Sequence, residues 1–375
     1  MNTRNFATRG LLAGAIALAH TLAGAAAIVV GQVAPMSGLE ANQGRAYAAG
    51  MQMYFNAVNK AGGAAGHTFT LVSKDDGGRP EDTVSATRQL LAENQPTVLA
   101  GYFGNRNMTD LLASGMLEKE RIALVGYRIS EIRPENPQLF SVRAGLRDEI
   151  TKLTEHLATI GITRLGLLYE EGPGAAAVVA AADEAAKKAH ATISIKASYP
   201  AGTAKMSPAV AAFGTNPPQA IVMIASGSAA AGFIEQFRAG GGTAQLFAFS
   251  GTDIEQLSKR LSEEQMQGVA IAQVTPSPYK INVKIAKEFN DTAAKEKLEV
   301  PVSYAMMEGY ITAKVIVEAV RRQGARASRE GMAGALEAMD YFDMGGYAVG
   351  FKPGMHGGSK FVELSIISGA GKIRQ

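Results

Sequence analysis

At 375 residues and 47% hydrophobic content, the chain can bury a large core and form two lobes of ordinary domain size, which excludes a disordered or low-complexity protein. It has no cysteine, which excludes a disulfide scaffold, a thiolate metal site and a thiol nucleophile. The formal charge of +3 falls to 35 basic against 34 acidic residues without Arg4 and Arg9, and no run of Lys or Arg resembles a nucleic-acid footprint, so no polyanion partner is expected.

In chain order, residues 1–27 read as a secretory signal peptide. Arg4 and Arg9 give a positive start, Leu11 to Leu22 is an apolar run, and Ala23 to Ala27 offers small-residue cleavage sites. The apolar run is shorter than the roughly 20 residues that span a bilayer, so export with cleavage is expected over a membrane anchor. Next, Ile28 to Ala34 reads as a buried strand, followed by a turn with Pro35, Ser37 and Gly38, a long helix, a Gly-rich turn, and a strand ending on Asp75 and Asp76. That is one βαβ unit with parallel strands, whose strand-to-helix loop lies at the carboxyl edge of the sheet, where ligands bind in open α/β folds.

The rhythm continues. Helices are expected around 81–93 and 108–119, and strands over 97–101 and 122–126; Ile150, Leu153, Leu157 and Ile160 mark one helix face. A strand at 164–169, an Ala-rich helix at 174–189 and a strand at 192–199 follow. Ser207-Pro208 opens another helix, and Asn216-Pro217-Pro218 stops it before a strand at 220–225. This alternation predicts an α/β fold whose parallel sheets are covered on both faces. It breaks at Leu139 to Gly145, Gly268 to Pro278 and Gly345 to Pro353, either as irregular loops or as passages between two lobes.

Enzyme readings find little support. Gly172, Gly174 and Ala177 form a G-x-G-x-x-A string after a strand, but the next strand lacks the acidic residue that would bind a ribose. No Walker A string, H-E-x-x-H motif or nucleophile elbow is present. His67, His156, His190 and His356 match no metal spacing. Asp75 and Asp76, adjacent on a strand, point to opposite faces and do not form a catalytic pair. No catalytic residue, metal or cofactor is expected.

The ordered set Ser37-Gly38, Gly44, Asn56 and Asn59, Gly62-Gly63, Asp75-Asp76 and Pro80, with Asn216-Pro217-Pro218 before a strand and the helix ending at Gln236 to Gly241, resembles the branched-chain amino acid type of solute-binding proteins that serve ABC importers. The resemblance spans nearly the whole chain after the leader. It implies two Rossmann-like lobes with parallel central sheets joined by three crossover segments: residues 28–142 plus 275–347, and 143–274 plus 348–375. It also implies an extracytoplasmic (periplasmic) protein whose clamshell closes on an amino acid or related small carboxylate and then docks on a transmembrane permease.

By position, the resemblance places the ligand's carboxylate among first-lobe loops carrying Ser37, Asn105 and Ser130, and the ammonium partner at Asp253, which could equally cap a helix. Relatives often have aromatic residues in two second-lobe loops, where this chain has Glu170 to Gly174 and Ser226. Tyr102, Phe103, Tyr127 and Arg128 are offered from the first lobe instead, Arg128 as a bidentate clamp. Aromatic acids therefore compete as ligands, and a ligand sensor of the same fold is the other alternative.

Overall fold

The computed structural model describes residues 26–367 and 373–374, so most of the expected leader, including the start of the Ala23–Ala27 cleavage region, lies outside the described residues. The first unit runs β1 (Ala26–Ala34), α1 (Ala41–Lys60), β2 (His67–Asp75), α2 (Pro80–Asn94), β3 (Val98–Phe103), α3 (Asn105–Ala113), α4 (Met116–Lys119), β4 (Leu124–Arg128) and β5 (Leu139–Phe140). All its strands are parallel, in the order β2-β1-β3-β4-β5.

The second unit runs α5 (Leu146–Thr159), β6 (Arg164–Glu170), α6 (Ala175–Lys188), β7 (Thr192–Tyr199), α7 (Ser207–Thr215), β8 (Ala220–Ile224), α8 (Gly227–Ala239), β9 (Gln245–Ala248), α9 (Ile254–Arg260), α10 (Glu263–Met266) and β10 (Ala270–Gln273). The chain then forms α11 (Lys284–Ala293), α12 (Tyr304–Gln323), α13 (Arg329–Glu337) and a hairpin of β11 (Phe342–Asp343) and β12 (Ala348–Val349). It ends on β13 (Glu363–Ile367) and β14 (Ile373–Arg374). The second sheet has the order β14-β13-β10-β9-β8-β6-β7, parallel except at β13 and β14.

The inner strands of both sheets, such as β3 and β8, are buried on two faces, which is why they read as near-continuous apolar runs, whereas the edge strands β2 and β7 are partly exposed. In the first, Ile28, Val30, Val98 and Ala100 pack toward α1 and α12, while Val33, Leu99 and Leu124 pack toward α2 and α3. In the second, Leu168, Ile221 and Met223 face α7 and α8, and Leu165, Leu167 and Val222 face α5 and α6.

The helix expected over 108–119 is divided at Gly115, whose φ of +64 suits glycine better than any L side chain. Ser207 lies one residue inside α7, whose cap position is Met206, and its hydroxyl bonds to Gln236 at 2.9 Å.

The three breaks are resolved by what packs where. The first passage lies between β5 and α5. The second follows β10 rather than containing it, because Ala270–Gln273 is a strand of the second sheet. The third lies after Phe351, because Val349 and Phe351 still pack in the core of the first sheet and the chain joins the second sheet only at Glu363.

Each sheet contains the same reversal of strand order, at β1/β3 and at β6/β8. Such switch points open a crevice at the carboxyl ends of the strands, and here the two crevices face each other.

Candidate functional site

A cavity of about 750 Å³ lies between the units, lined from one side by the loops after β1, β3 and β4 and from the other by those after β6, β7, β8 and β9. The loop after β1 is fixed by Asp75, whose Oδ1 accepts from the backbone N–H of Met36 (2.8 Å), Ser37 (3.1 Å) and Gly77 (2.8 Å). Burial acts upward on its pKa, but the bonds from Ser37, Gly77 and Met36 prevail and hold it at about 2. Asp76 points the other way and accepts from Thr83 Oγ1 at 2.6 Å, as alternation along a strand requires.

At one end of the cavity Asn105 joins the units. Its Nδ2 donates to Ser130 Oγ (2.8 Å) and to Glu170 Oε2 across the cleft (3.1 Å), and its Oδ1 accepts from Ser130 N–H (2.8 Å). Glu170 Oε1 accepts from Gly202 N–H at 3.0 Å. Burial raises the pKa of Glu170 in spite of these bonds.

The base is a buried ionic set. Arg128 at the end of β4 donates to the Gln43 side chain and to Ser250 O (3.4 Å), and its Nε is 3.4 Å from Glu308 Oε2. Arg143, in the first passage, pairs with Glu149 (3.0 Å) and Glu308 (3.6 Å) and donates to the Ser250 hydroxyl. Glu149 in turn accepts from Ser250 N–H at 2.7 Å. Phe103 lies against this set, its ring centroid 5.8 Å from the Arg128 guanidinium carbon.

At the opposite end Glu40, just before α1, accepts from Gln43 Nε2 (2.7 Å) and from Ser228 Oγ of the second unit (3.3 Å). Burial first, then Asp253, pushes its carboxyl up to about 7. Gln256 Nε2 donates across the cleft to Leu39 O at 3.2 Å.

Of the candidate ligand contacts, Phe103, Asn105, Arg128, Ser130, Glu170 and Ser226 line this one cavity. Four candidates do not. Ser37 is exposed, and its N–H serves the Asp75 turn. Tyr102 is fully buried, with its hydroxyl 3.0 Å from Thr87 Oγ1 on the far face of the sheet. Tyr127 also points away and lines a separate small cavity; burial pushes its phenol up to about 12. Asp253 caps α9, accepting from Gln256 N–H at 3.0 Å. Alternation along β3 and β4 explains two of these, since the neighbours of Phe103 and Arg128 must face the other way.

Sequence reasoning did not find Glu40, Gln43, Arg143, Glu149, Ser228 or Glu308. Only folding brings them together, and no local motif marks them. Among the described residues, no group of three or more His, Asp or Glu side chains could hold a metal ion.

The sequence pattern of the family described as periplasmic binding protein matches residues 27–360. A substrate-binding periplasmic protein from Ralstonia solanacearum is 35% identical, covering 93% of this chain and 99% of that one, with a TM-score of 0.86. A fatty acid ABC transporter substrate-binding protein from Thermomonospora curvata shares the fold at 18% identity, 93% and 92% coverage and a TM-score of 0.80. So does a branched-chain amino acid ABC transporter protein from Thermus thermophilus, solved with bound valine, at 16% identity, 94% and 95% coverage and a TM-score of 0.78. No curated protein matches the chain. With its parallel sheets and the cavity between their switch points, the chain belongs to the type I periplasmic binding protein family, whose members are solute-binding proteins and not enzymes.

Proposed function

We propose that this protein captures an amino acid or a related small carboxylate between its two lobes and delivers it to the transmembrane permease of an ABC importer, working in the periplasm after removal of residues 1–27. Residues 28–142 plus 275–347 form one lobe in this reading and 143–274 plus 348–375 the other, with the third passage shifted beyond Phe351. The observation that carries the proposal is the cavity of about 750 Å³, of the size that suits a small molecule. Hydrogen bonds span it from one switch point to the other, Asn105 to Glu170 and Glu40 to Ser228. Contacts of this kind form when two lobes close on a solute and separate when they open.

A second reading, an aromatic acid as solute, rests on the apolar side chains Phe103, Tyr169 and Phe249 in the lining. Thermal denaturation of the mature chain against amino acids, amides, aliphatic acids and aromatic acids tests both. A solute at about a hundredfold excess over its dissociation constant adds roughly 2.7 kcal/mol to stability, so the true class raises the melting temperature clearly. A flat response to all four classes refutes solute capture of this kind.

A further inference from the structure

The charges that face the cavity do not cancel, and the remainder says what the ligand must carry. At the base, Arg128 and Arg143 already face two carboxylates of their own chain, Glu149 and Glu308, at 3.0 to 3.6 Å. These four groups carry no net charge, so the arginines already have counter-ions in their own chain, although Arg128 Nε and Arg143 Nη1 make no hydrogen bond. Glu131 is likewise paired with Arg133.

Asp110 and Glu171 also line the cavity but are exposed to solvent. The two shielded carboxylates that are left are Glu40 and Glu170, and every group that hydrogen-bonds to them is neutral: Gln43 and Ser228 for Glu40, Asn105, Ser130 and Gly202 for Glu170. The charged and titratable groups that act on Glu40 are Asp253, which repels it, Arg128, which is committed to Glu308, and the buried phenol of Tyr199. Those acting on Glu170 are Arg106, exposed at the rim, together with Glu131 and Tyr199. Burial raises the pKa of both carboxyls, as it must where the surroundings lack a compensating cation.

A ligand bearing only a carboxylate would bring another negative charge into this space, whereas a cation would supply the one that is missing. We propose that the solute carries a cationic nitrogen that docks against Glu40, the first-unit carboxylate at the cleft, and that a simple carboxylic acid is not the ligand. This rests on the solute-capture reading and narrows it: amino acids and amines remain, and aromatic or aliphatic acids without nitrogen are removed. It also moves the counter-charge from Asp253, which is used as a helix cap, to a residue on the other side of the cleft.

Two matched sets test it by calorimetry and thermal shift on the mature chain: L-leucine, isoamylamine and isocaproate, and L-phenylalanine, phenethylamine and hydrocinnamate. The expected result is binding by nitrogen-bearing members and by neither acid. Binding of an acid as tight as that of its nitrogen-bearing counterparts overturns the cation assignment and leaves solute capture standing. A silent panel overturns the amino-acid or small-carboxylate reading and the cation assignment with it.

For the compound that binds, Glu40→Gln should weaken affinity about ten- to hundredfold, the range for losing a charged hydrogen bond; unchanged affinity in a folded variant refutes the role. Should that variant fail to fold, the wild-type pH profile decides. Isoamylamine and phenethylamine stay protonated from about pH 6 to about pH 8, so their affinity should rise as Glu40 ionises through about 7. A flat or falling profile overturns the proposal.

Discussion

Asp253 adopts φ +59, a conformation that non-glycine residues rarely take, and its carboxylate caps α9. The two facts separate by substitution. Asp253→Ala loses the cap and keeps the backbone strain, and should destabilise the protein by about 1 kcal/mol. Asp253→Gly loses the same bond but relieves the strain, and should cost only a few tenths. Urea denaturation of both variants measures the difference. Equal destabilisation by Ala and Gly would show that the positive φ is not strained. The cap was open to a reading from sequence, since an acidic residue before a helix suits either role; only the hydrogen bond to Gln256 decides it.

Helices α1 and α12 meet through glycine on each side. A Cβ on Gly50 would lie 2.0 Å from the carbonyl oxygen of Met306, and one on Gly309 would lie 2.1 Å from that of Tyr47. Alanine is favoured over glycine inside a helix by about 1 kcal/mol, but a backbone carbonyl cannot rotate away, and overpacking typically costs about 1–3 kcal/mol or more. The clash should prevail, so Gly309→Ala is expected to lower stability by about 2 kcal/mol. Gly334, exposed in α13 with open space where a Cβ would stand, is the control: Gly334→Ala should stabilise by up to about 1 kcal/mol. Paired urea melts compare them, and a stabilised Gly309→Ala would mean that the helices are free to separate. Helix α12 is buried almost all round, so it lacks the one-sided periodicity that makes a surface helix legible in a sequence.

At the scale of the whole molecule, closure of the cleft in the proposed clamshell would shield Glu40, which is half-buried here, from much of the water. Its carboxyl is raised from 4.5 to about 7 when closed, so between those values the closed form binds more protons than an open one. Closure of the ligand-free protein is therefore most favoured at low pH and weakens as pH rises through about 7. Small-angle scattering should report a larger radius of gyration at about pH 8 than at about pH 5, and Glu40→Gln should remove the dependence. A radius that shrinks with rising pH would contradict the burial of Glu40 on closure. Glu255, pushed up to about 8 by burial and then by Asp253, bonds to Tyr279 and Tyr304. It acts on folding in the same sense, with stability lost as pH rises toward that value.

The order of strands and helices through the first passage and as far as β9 was readable from the chain alone, because the inner strands of a doubly covered parallel sheet are apolar throughout and each connection must cross as a helix. So was the placing of the loops after β3, β4 and β6 at a crevice, because strand ends at a switch point open one whatever the side chains are. The sequence could not decide which strand-end residue faces the cavity when two aromatic or polar neighbours compete, as at Tyr102–Phe103 and Tyr127–Arg128, since one residue of register reverses both. Nor could it show that Arg128 is already neutralised. Its partners Gln43, Ser250 and Glu308 lie far away in the chain and meet it only when both sheets and α12 are in place. Electrostatic balance in a cleft depends on distances through space, which local pattern does not encode, so the tertiary structure alone leaves Glu40 and Glu170 hydrogen-bonded to neutral partners only.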